Sequence, residues 1–307
     1  MTEDIYPSRV AGEPVWLPRR DLVVHTPWTF EAPLSQAQCD RYEQDGFLVL
    51  EGLFEPEEVA LMQRELEAMR AMPASLDEAT LIAEPNSGAL RSIFAIHAQN
   101  ELFGRLARDE RLLAIVRHIL GDEVYVHQSR LNYKDGFDGK EFYWHSDFET
   151  WHVEDGMPRM RALSVSVQLA DNLAVNGPLM LMPGSHRTYV ACVGETPEDH
   201  YKQSLRRQEY GVPDRDSLTR LAEQRGITAP TGKAGSVVLF DCNTMHGSAG
   251  NISPFPRANA FLVYNAVSNR LVEPFGGRAP RPPFVATRGA VEPLKAARGP
   301  LAEPRAA

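Results

Sequence analysis

Cysteines, long hydrophobic runs and an excess of positive charge are all missing or scarce in this chain of 307 residues. The three cysteines, Cys39, Cys192 and Cys242, are odd in number and far apart, so a disulfide framework is not expected. No eighteen apolar residues follow one another, and Glu3 and Asp4 stand where a secretion signal would be apolar. These absences argue against a membrane span and predict a cytoplasmic protein.

Acidic residues outnumber basic ones, with 41 Asp and Glu against 32 Lys and Arg and a formal net charge of -9. A nucleic-acid surface needs clustered positive charge, so this balance argues against nucleic acid as a partner and favours a small substrate. Hydrophobic residues make up 43% of the chain and charged residues 24%, which is ordinary globular usage. The length fits one large β-rich domain.

The hydrophobic period changes along the chain. Residues 1–122 read as irregular and helical, with Ser35 and Gly46 bounding one helix and Pro56 opening another. From Val124 onward, five short apolar runs alternate with a period of two and are bounded by Gly, Pro and Asn. Without βαβ spacing, these runs predict a mainly β fold with flanking helices, a double-sheet jelly roll over about residues 123–270.

Two stretches depart from this strand pattern. Residues 190–229 turn polar and charged, and we predict a surface helix over residues 198–210 in an insertion that covers the mouth of the barrel. The tail from Arg278 is rich in Pro, Ala and Arg. We therefore expect a single domain over residues 1–290 and disorder over residues 291–307.

The run around His145 organises the candidate site. If residues 143–147 are extended, His145 and Asp147 stand at i and i+2 and point to one face, where an imidazole and a carboxylate can share a metal ion. His246 would supply the third ligand of a 2-His-1-carboxylate triad, which is typical of non-haem Fe(II) oxygenases because it leaves positions open. A His-x-Asp pattern alone is common, so the hypothesis depends on the surrounding residues.

Arg257 supports this hypothesis. It lies eleven residues after His246, at the start of a predicted strand. Oxygenases of this type commonly use 2-oxoglutarate, whose distal carboxylate requires a cation such as a guanidinium. The alternative is a surface arginine after a Pro-rich turn.

The remaining histidines are weaker candidates for metal ligands. Glu149 and His152 have the spacing of a helical di-metal motif, but the surrounding strands contradict the four-helix bundle that such a motif requires. His186 follows a Pro-Gly turn and is expected to brace it, and His127 is expected to be structural.

These residues resemble the phytanoyl-CoA dioxygenase family of Fe(II)/2-oxoglutarate oxygenases over residues 1–290. His145, Asp147, His246 and Arg257 have the order and spacing of that family, and Met182-Pro-Gly-Ser-His186 matches a further hallmark. Within the family, residues 144–158 and 240–248 are similar to those of members that hydroxylate the compatible solute ectoine.

The resemblance implies a double-stranded β-helix of the cupin-like type that holds Fe(II) and uses 2-oxoglutarate and O2. It implies that ectoine becomes 5-hydroxyectoine while 2-oxoglutarate becomes succinate and CO2, and that the protein is a homodimer active in the response to osmotic stress. It also implies that Lys134 and Asn132 serve 2-oxoglutarate and that Gln128 serves ectoine. The alternative for Lys134 is a surface lysine at a strand end, and for Gln128 a solvent-facing strand residue.

Ectoine is a zwitterionic ring, so its pocket should offer an aromatic wall and hydrogen-bonding groups. Trp151, Gln128, Thr150 and Asn265 have this chemistry and are our candidate substrate contacts, although Trp151 is equally suited to packing. Two other functions stay open: an oxygenase for another amino-acid-like or lipid substrate, and a non-catalytic jelly roll with a structural metal.

Overall fold

The computed structural model describes residues 3–10, 12–84, 88–197 and 210–301. Within these residues the helices are α1 (Gln36–Asp45), α2 (Pro56–Ala71), α3 (Ile96–Gln99), α4 (Glu101–Leu106), α5 (Glu110–Leu120), α6 (Asp147–Asp155) and α7 (Arg215–Arg225). The strands are β1 (Val15–Pro18), β2 (Phe47–Leu50), β3 (Leu81–Ala83), β4 (Leu90–Phe94), β5 (Val124–Lys134), β6 (Phe142–His145), β7 (Ala162–Gln168), β8 (Leu179–Leu181), β9 (Thr188–Ala191), β10 (Val237–Asp241), β11 (His246–Ser248) and β12 (Arg257–Ala266).

Two facing sheets form the jelly roll, which confirms the predicted fold class. The larger has seven strands in the order β2-β10-β7-β12-β5-β4-β3, and the smaller has the order β6-β11-β8. The pairings of β12 with β5 and β7 are antiparallel, and they carry Arg257 opposite Lys134 and Asn259 opposite Gln168. β1 and β9 form a separate antiparallel pair that ties the N-terminal arm to the body.

The two faces of the large sheet differ in polarity because side chains alternate along each strand. On β7, Leu163, Val165 and Val167 belong to the main core, which also contains residues of α2 and α5. Ser164 and Ser166 alternate with them and face the inside of the jelly roll. The sheet therefore buries its apolar face under helices and presents its polar face to the candidate site.

The predicted helix ends are confirmed before this core. The Ser35 side chain accepts a hydrogen bond from the Gln38 backbone, and Gly46 ends α1 in the left-handed region at φ 78. Pro56 opens α2, whose buried positions fall at three- and four-residue intervals. These signals are local, so they can be recognised without knowledge of the fold.

The extended conformation expected through Asp147 is wrong. β6 ends at His145, Ser146 caps the next helix, and Asp147 is the first residue of α6. The Ser146 hydroxyl accepts a hydrogen bond from the Glu149 backbone N–H at 3.4 Å, which turns the chain into a helix directly after the first histidine. His145 at the end of a strand and Asp147 at the start of a helix still bring their side chains together.

The C-terminal segment lies against the body as far as Leu301, although composition predicts disorder for residues 291–307. The Leu294 backbone donates to the Val124 carbonyl, the Ala297 backbone donates to the Arg108 carbonyl, and Leu301 is buried. Backbone pairing and one large apolar side chain are enough to order a segment with few apolar residues. Residues 302–307, and residues 198–209 of the predicted surface helix, lie outside the described residues.

In the part of the chain that the structure describes, no helix is long and apolar enough to cross a membrane.

Candidate active site

His145, Asp147 and His246 converge, with one ligand atom from each lying within 4.8 Å of the others. The Asp147 Oδ1 atom is 3.6 Å from His145 Nε2 and 3.8 Å from His246 Nε2. The two imidazole rings are 4.3 Å apart between centroids. Strands β6 and β11 place the histidines directly opposite each other, and the start of α6 places the carboxylate between them. A single metal ion fits this donor set of two imidazoles and one carboxylate.

Backbone carbonyls orient both imidazoles. His145 Nδ1 is 2.7 Å from the Tyr143 carbonyl oxygen, and His246 Nδ1 is 2.9 Å from the Thr244 carbonyl oxygen. Each Nδ1 therefore carries the proton, which leaves each Nε2 lone pair directed toward Asp147. Burial, together with the neighbouring His145, lowers the pKa of His246 to about 4, so this imidazole is neutral and able to bind a metal at neutral pH.

The Asp147 carboxylate is buried and ionised. Burial opposes ionisation, but His246, His145 and Arg130 together hold the pKa of this carboxyl well below its usual range. The Ser164 hydroxyl donates to the second oxygen, Oδ2, at 3.2 Å. One carboxylate oxygen is thus anchored to the large sheet, and the other remains directed toward the imidazoles.

A cavity opens beside the two histidines. Its lining residues are Arg130, Asn132, Phe142, His145, Leu179, His246, Gly247, Ser248, Arg257 and Phe261. The described residues thus place Arg257 and Asn132, but not Lys134, on the wall that the metal ligands share. The same wall also contains four residues that the sequence does not mark as candidates, Arg130, Phe142, Ser248 and Phe261. They could be identified only by knowing which positions of each strand face the inside of the jelly roll.

Arg257 is buried, and its Nε and Nη1 atoms have no hydrogen-bond partner. Burial lowers the pKa of its guanidinium to about 10, which still leaves it charged at neutral pH. A buried cation without a partner is costly, so this guanidinium is suited to an anion entering the cavity. The chemistry of the wall therefore fits a carboxylate ligand.

Lys134 lies opposite Arg257 in the sheet and is buried rather than at the surface. Its Nζ atom is 2.9 Å from the Ser248 hydroxyl and 2.5 Å from the Ala249 carbonyl oxygen. Burial and the neighbouring Arg257 and Arg91 lower the pKa of Lys134 to about 6. Lys134 therefore lies behind the cavity wall and holds Ser248, which lines the cavity, in place.

The candidate substrate residues have varied surroundings. Gln128 is buried, donates to the Val285 carbonyl at 2.7 Å and accepts from Arg130 at 2.8 Å. Asn265 donates to the Tyr125 hydroxyl and to the Asn269 carbonyl. Gln128 does not line the cavity itself but is hydrogen-bonded to Arg130, which does. Asn265 is hydrogen-bonded to other residues of the protein.

Trp151 and Thr150 lie on α6, not on a strand. Trp151 belongs to an apolar cluster with Phe148, and its ring packs edge-on against His127 at 5.0 Å. The Thr150 hydroxyl is buried without a hydrogen-bond partner. Thr150 and Trp151 are not among the residues that line the cavity, and the Trp151 ring is in contact with protein on at least one side.

The expected structural roles of three histidines agree with their contacts. His152 stacks on Phe275, and its ring nitrogens lie 2.8 Å from the Met157 carbonyl oxygen and 3.0 Å from Asp4. His186 reaches the Glu43 carbonyl. His127 packs on Trp151.

A buried ionic network anchors α6 and was not recognised in the sequence. Arg9 bonds both oxygens of Glu149, at 3.0 and 2.7 Å, and reaches Glu154 at 2.8 Å. At the other end of the helix, Arg281 binds both oxygens of Asp155, at 2.8 and 2.5 Å. Partners 126 to 145 residues apart leave no local sequence signal.

Comparison with a family model and with individual proteins gives a consistent result. Residues 42–259 match the model of the phytanoyl-CoA dioxygenase family. An ectoine dioxygenase of Sphingopyxis alaskensis is 62% identical over 98% of this chain and 98% of its own length. An ectoine dioxygenase of Stutzerimonas stutzeri is 58% identical over 96% of this chain and 97% of its own length.

Solved structures agree with these relatives. The crystal structure of EctD from S. alaskensis with 2-oxoglutarate and 5-hydroxyectoine has a TM-score of 0.91 and 57% identity, and covers 98% of this chain and 100% of its own. The same protein with bound Fe has a TM-score of 0.89 and 56% identity over the same shares. The carbocyclase SnoK, at 18% identity and a TM-score of 0.62 over 87% of this chain and 95% of its own, shares the fold.

Proposed function

We propose that this chain, which belongs to the phytanoyl-CoA dioxygenase family, hydroxylates ectoine to 5-hydroxyectoine with Fe(II), 2-oxoglutarate and O2. The observation that carries the proposal is the convergence of His145, Asp147 and His246 beside an unpartnered, buried Arg257. Relatives at 58% to 62% identity over nearly the whole chain act on ectoine, which favours the same substrate here.

The residues present fit the metal and the keto acid. His145 Nε2, His246 Nε2 and Asp147 Oδ1 would hold Fe(II), and Arg257 would pair with the distal carboxylate of 2-oxoglutarate. When bound, these groups and O2 supply the oxidising chemistry that hydroxylates an unactivated C–H bond and releases succinate and CO2. Asn132 lies on the same wall, and we assign it and Lys134 to the 2-oxoglutarate side of the site.

The protein's own contribution is to fix orientation and exclude water. The carbonyls of Tyr143 and Thr244 hold both imidazoles in the metal-binding tautomer. Phe142 and Phe261 form apolar walls of the cavity, so the reacting groups are kept away from bulk water. Only the His145 side chain among the three ligands keeps more than a tenth of its surface exposed, at 12%.

We assign the substrate side to Gln128, Thr150, Trp151 and Asn265. The buried, unpartnered Thr150 hydroxyl and the Gln128–Arg130 pair support hydrogen bonding to a zwitterion, and the Trp151 indole supports contact with the amidinium. The contacts of Asn265 with Tyr125 and Asn269 favour a role in holding the end of β12.

We further infer that residues 1–290 form one domain, against which the segment as far as Leu301 packs, that the protein is a homodimer in the cytoplasm, and that it acts in the response to osmotic stress. Three buried, free cysteines support a reducing compartment. The dimer and the physiological role rest on family resemblance. Size-exclusion chromatography with light scattering tests the dimer, and a mass of about 34.2 kDa in solution would refute it.

A substrate screen tests the proposed function. Purified protein loaded with Fe(II) is given 2-oxoglutarate, O2 and one of three compounds: ectoine, proline or an acyl-CoA. We expect hydroxylated product, identified by mass spectrometry, from ectoine alone. Turnover of one of the other compounds instead would assign the same site to another substrate, and metal binding without succinate release would indicate a non-catalytic jelly roll.

A further inference from the structure

Polar atoms without partners are concentrated on three neighbouring residues inside the jelly roll. These atoms are Nε and Nη1 of Arg257, Oδ1 of Asn259, and both Nε2 and Oε1 of Gln168. All three side chains are at least nine-tenths buried, with exposures of 4%, 3% and 1%. Buried groups of this kind are normally paired, so five together require an explanation.

The three residues are neighbours across two paired strands. Asn259 on β12 is directly opposite Gln168 on β7, and side chains in that relation start about 5 Å apart at Cβ. Arg257 lies two residues earlier on the same face of β12, which makes it the diagonal neighbour of Gln168, within reach of two long side chains.

The donors and acceptors match. Asn259 Nδ2 already donates to the Ser166 hydroxyl, which leaves Oδ1 to accept from Gln168 Nε2. Gln168 Oε1 can accept from Arg257 Nε, and Arg257 Nη1 then remains for an incoming carboxylate. Every unpartnered atom of the three residues is used once in this arrangement.

We propose that Gln168 is a positioning residue for the 2-oxoglutarate site, linking Asn259 to Arg257 and setting the plane of the guanidinium for the distal carboxylate. This rests on the proposed function, because it assumes that 2-oxoglutarate is the anion. A guanidinium held through Nε presents its remaining nitrogens in one orientation, whereas a free guanidinium loses orientational entropy when the carboxylate binds.

Calorimetric titration of 2-oxoglutarate into Fe(II)-loaded protein without O2 tests the proposal in the Gln168→Met variant. Methionine has similar length but no polar atom. We expect 2-oxoglutarate to bind about tenfold more weakly, in line with loss of one hydrogen bond to a charged group, while Fe(II) affinity stays unchanged. We also expect a folded variant with a somewhat lower melting temperature without 2-oxoglutarate, since Asn259 Oδ1 and Arg257 Nε each lose a hydrogen-bond partner.

A matched control is Gln63→Met. The Gln63 amide donates to the carbonyl of Leu169, the residue after Gln168, at 2.6 Å. Gln63 belongs to α2 and therefore lies outside the jelly roll. This variant should bind 2-oxoglutarate as the wild type does. Equal weakening by both substitutions would mean that disturbance of the end of β7 is the cause, and the proposal would be rejected.

The double variant decides whether Gln168 acts through Arg257. Lysine has no Nε–H donor at the guanidinium position, so Gln168→Met should change 2-oxoglutarate affinity less than about twofold in an Arg257→Lys background. A full tenfold effect in that background, or wild-type affinity of the single Gln168→Met variant, would overturn the proposal. A wild-type protein that does not bind 2-oxoglutarate would instead refute the proposed function.

Discussion

At the residue scale, the sequence is sufficient to single out the three candidate metal ligands that the fold brings together, but not most of their surroundings. His145 and Asp147 are two residues apart in the chain and carry a recognisable pattern, and the later His246 completes it. Arg130 and Ser248 also line the cavity but carry no pattern. Their role follows from an inward-facing register that only the paired strands define.

Removal of a metal ligand should abolish iron binding without unfolding the protein. In Asp147→Ala the two imidazoles lose the carboxylate that they share, so Fe(II) affinity should fall more than about 100-fold, beyond the loss typical when a residue that only supports a metal ligand is changed. Equilibrium dialysis with Fe(II) and circular dichroism measure the two properties. A native-like variant that retains full iron occupancy would remove Asp147 from the ligand set.

Arg257→Met should weaken the binding of 2-oxoglutarate and leave the binding of Fe(II) unchanged. Leaving the distal carboxylate of 2-oxoglutarate without its cation is expected to cost about 2–5 kcal/mol, or more than tenfold in apparent KM. Steady-state kinetics with varied 2-oxoglutarate and a parallel Fe(II) titration measure both effects. An unchanged KM for 2-oxoglutarate would show that the buried guanidinium serves another anion.

At the element scale, α6 shows where local reasoning fails. All nine of its residues are buried, so the helix has no polar face and no amphipathic period to recognise. The N-terminal helices α1 and α2 have exposed faces and standard end signals, and they were predicted correctly. A short helix that carries a metal ligand through the protein interior can be recognised only from its cap, Ser146.

Arg9 should control the position of α6, because its guanidinium bridges two buried carboxylates on that helix, Glu149 and Glu154. Burial opposes ionisation of Glu149, yet Arg9 and Ser8 hold the pKa of this carboxyl below its usual value. Arg9→Lys keeps the charge but loses the planar fork. We expect a folded protein that forms less 5-hydroxyectoine per succinate, by about two- to tenfold, because Asp147 and Thr150 shift with the helix.

Arg111→Lys is the control for this prediction. Arg111 also bridges two carboxylates, Glu58 at 2.7 Å and Asp109 at 2.8 Å, but it ties α5 to α2. Its replacement should lower the melting temperature and leave the ratio of the two products unchanged. If both variants changed that ratio equally, general destabilisation would explain the Arg9 result.

At the scale of the whole molecule, the N-terminal arm from residue 3 and the C-terminal segment as far as Leu301 pack onto the jelly roll and onto α6. β1 pairs with β9, Arg9 reaches α6, and residues 281–301 cover β5 and the helices beside it. Alternating strands predicted the jelly roll itself, whereas composition predicted a disordered tail. The difference is physical, because a few ion pairs and backbone hydrogen bonds between distant segments leave no periodic signal in the sequence.

Burial of Lys134 should make stability depend on pH. Its pKa is about 6 in the folded protein and about 10.4 in an unfolded chain. Between these values the unfolded state holds one more proton, so the free energy of unfolding rises with pH, by about 1.4 kcal/mol per unit from this residue. Urea denaturation at pH 6.5 and 8.5 should show this rise in the wild type but not in Lys134→Met. Equal pH dependence of the two proteins would show that Lys134 is charged in the folded state.

The most direct test of the account is the stoichiometry of the coupled reaction. Wild-type protein with Fe(II), O2, ectoine and 2-oxoglutarate should form 5-hydroxyectoine and succinate in a ratio of about one to one, and Asp147→Ala should form neither. Both products can be quantified in one sample by NMR spectroscopy. Succinate without 5-hydroxyectoine in the wild type, or 5-hydroxyectoine from Asp147→Ala at the wild-type rate, would contradict the account.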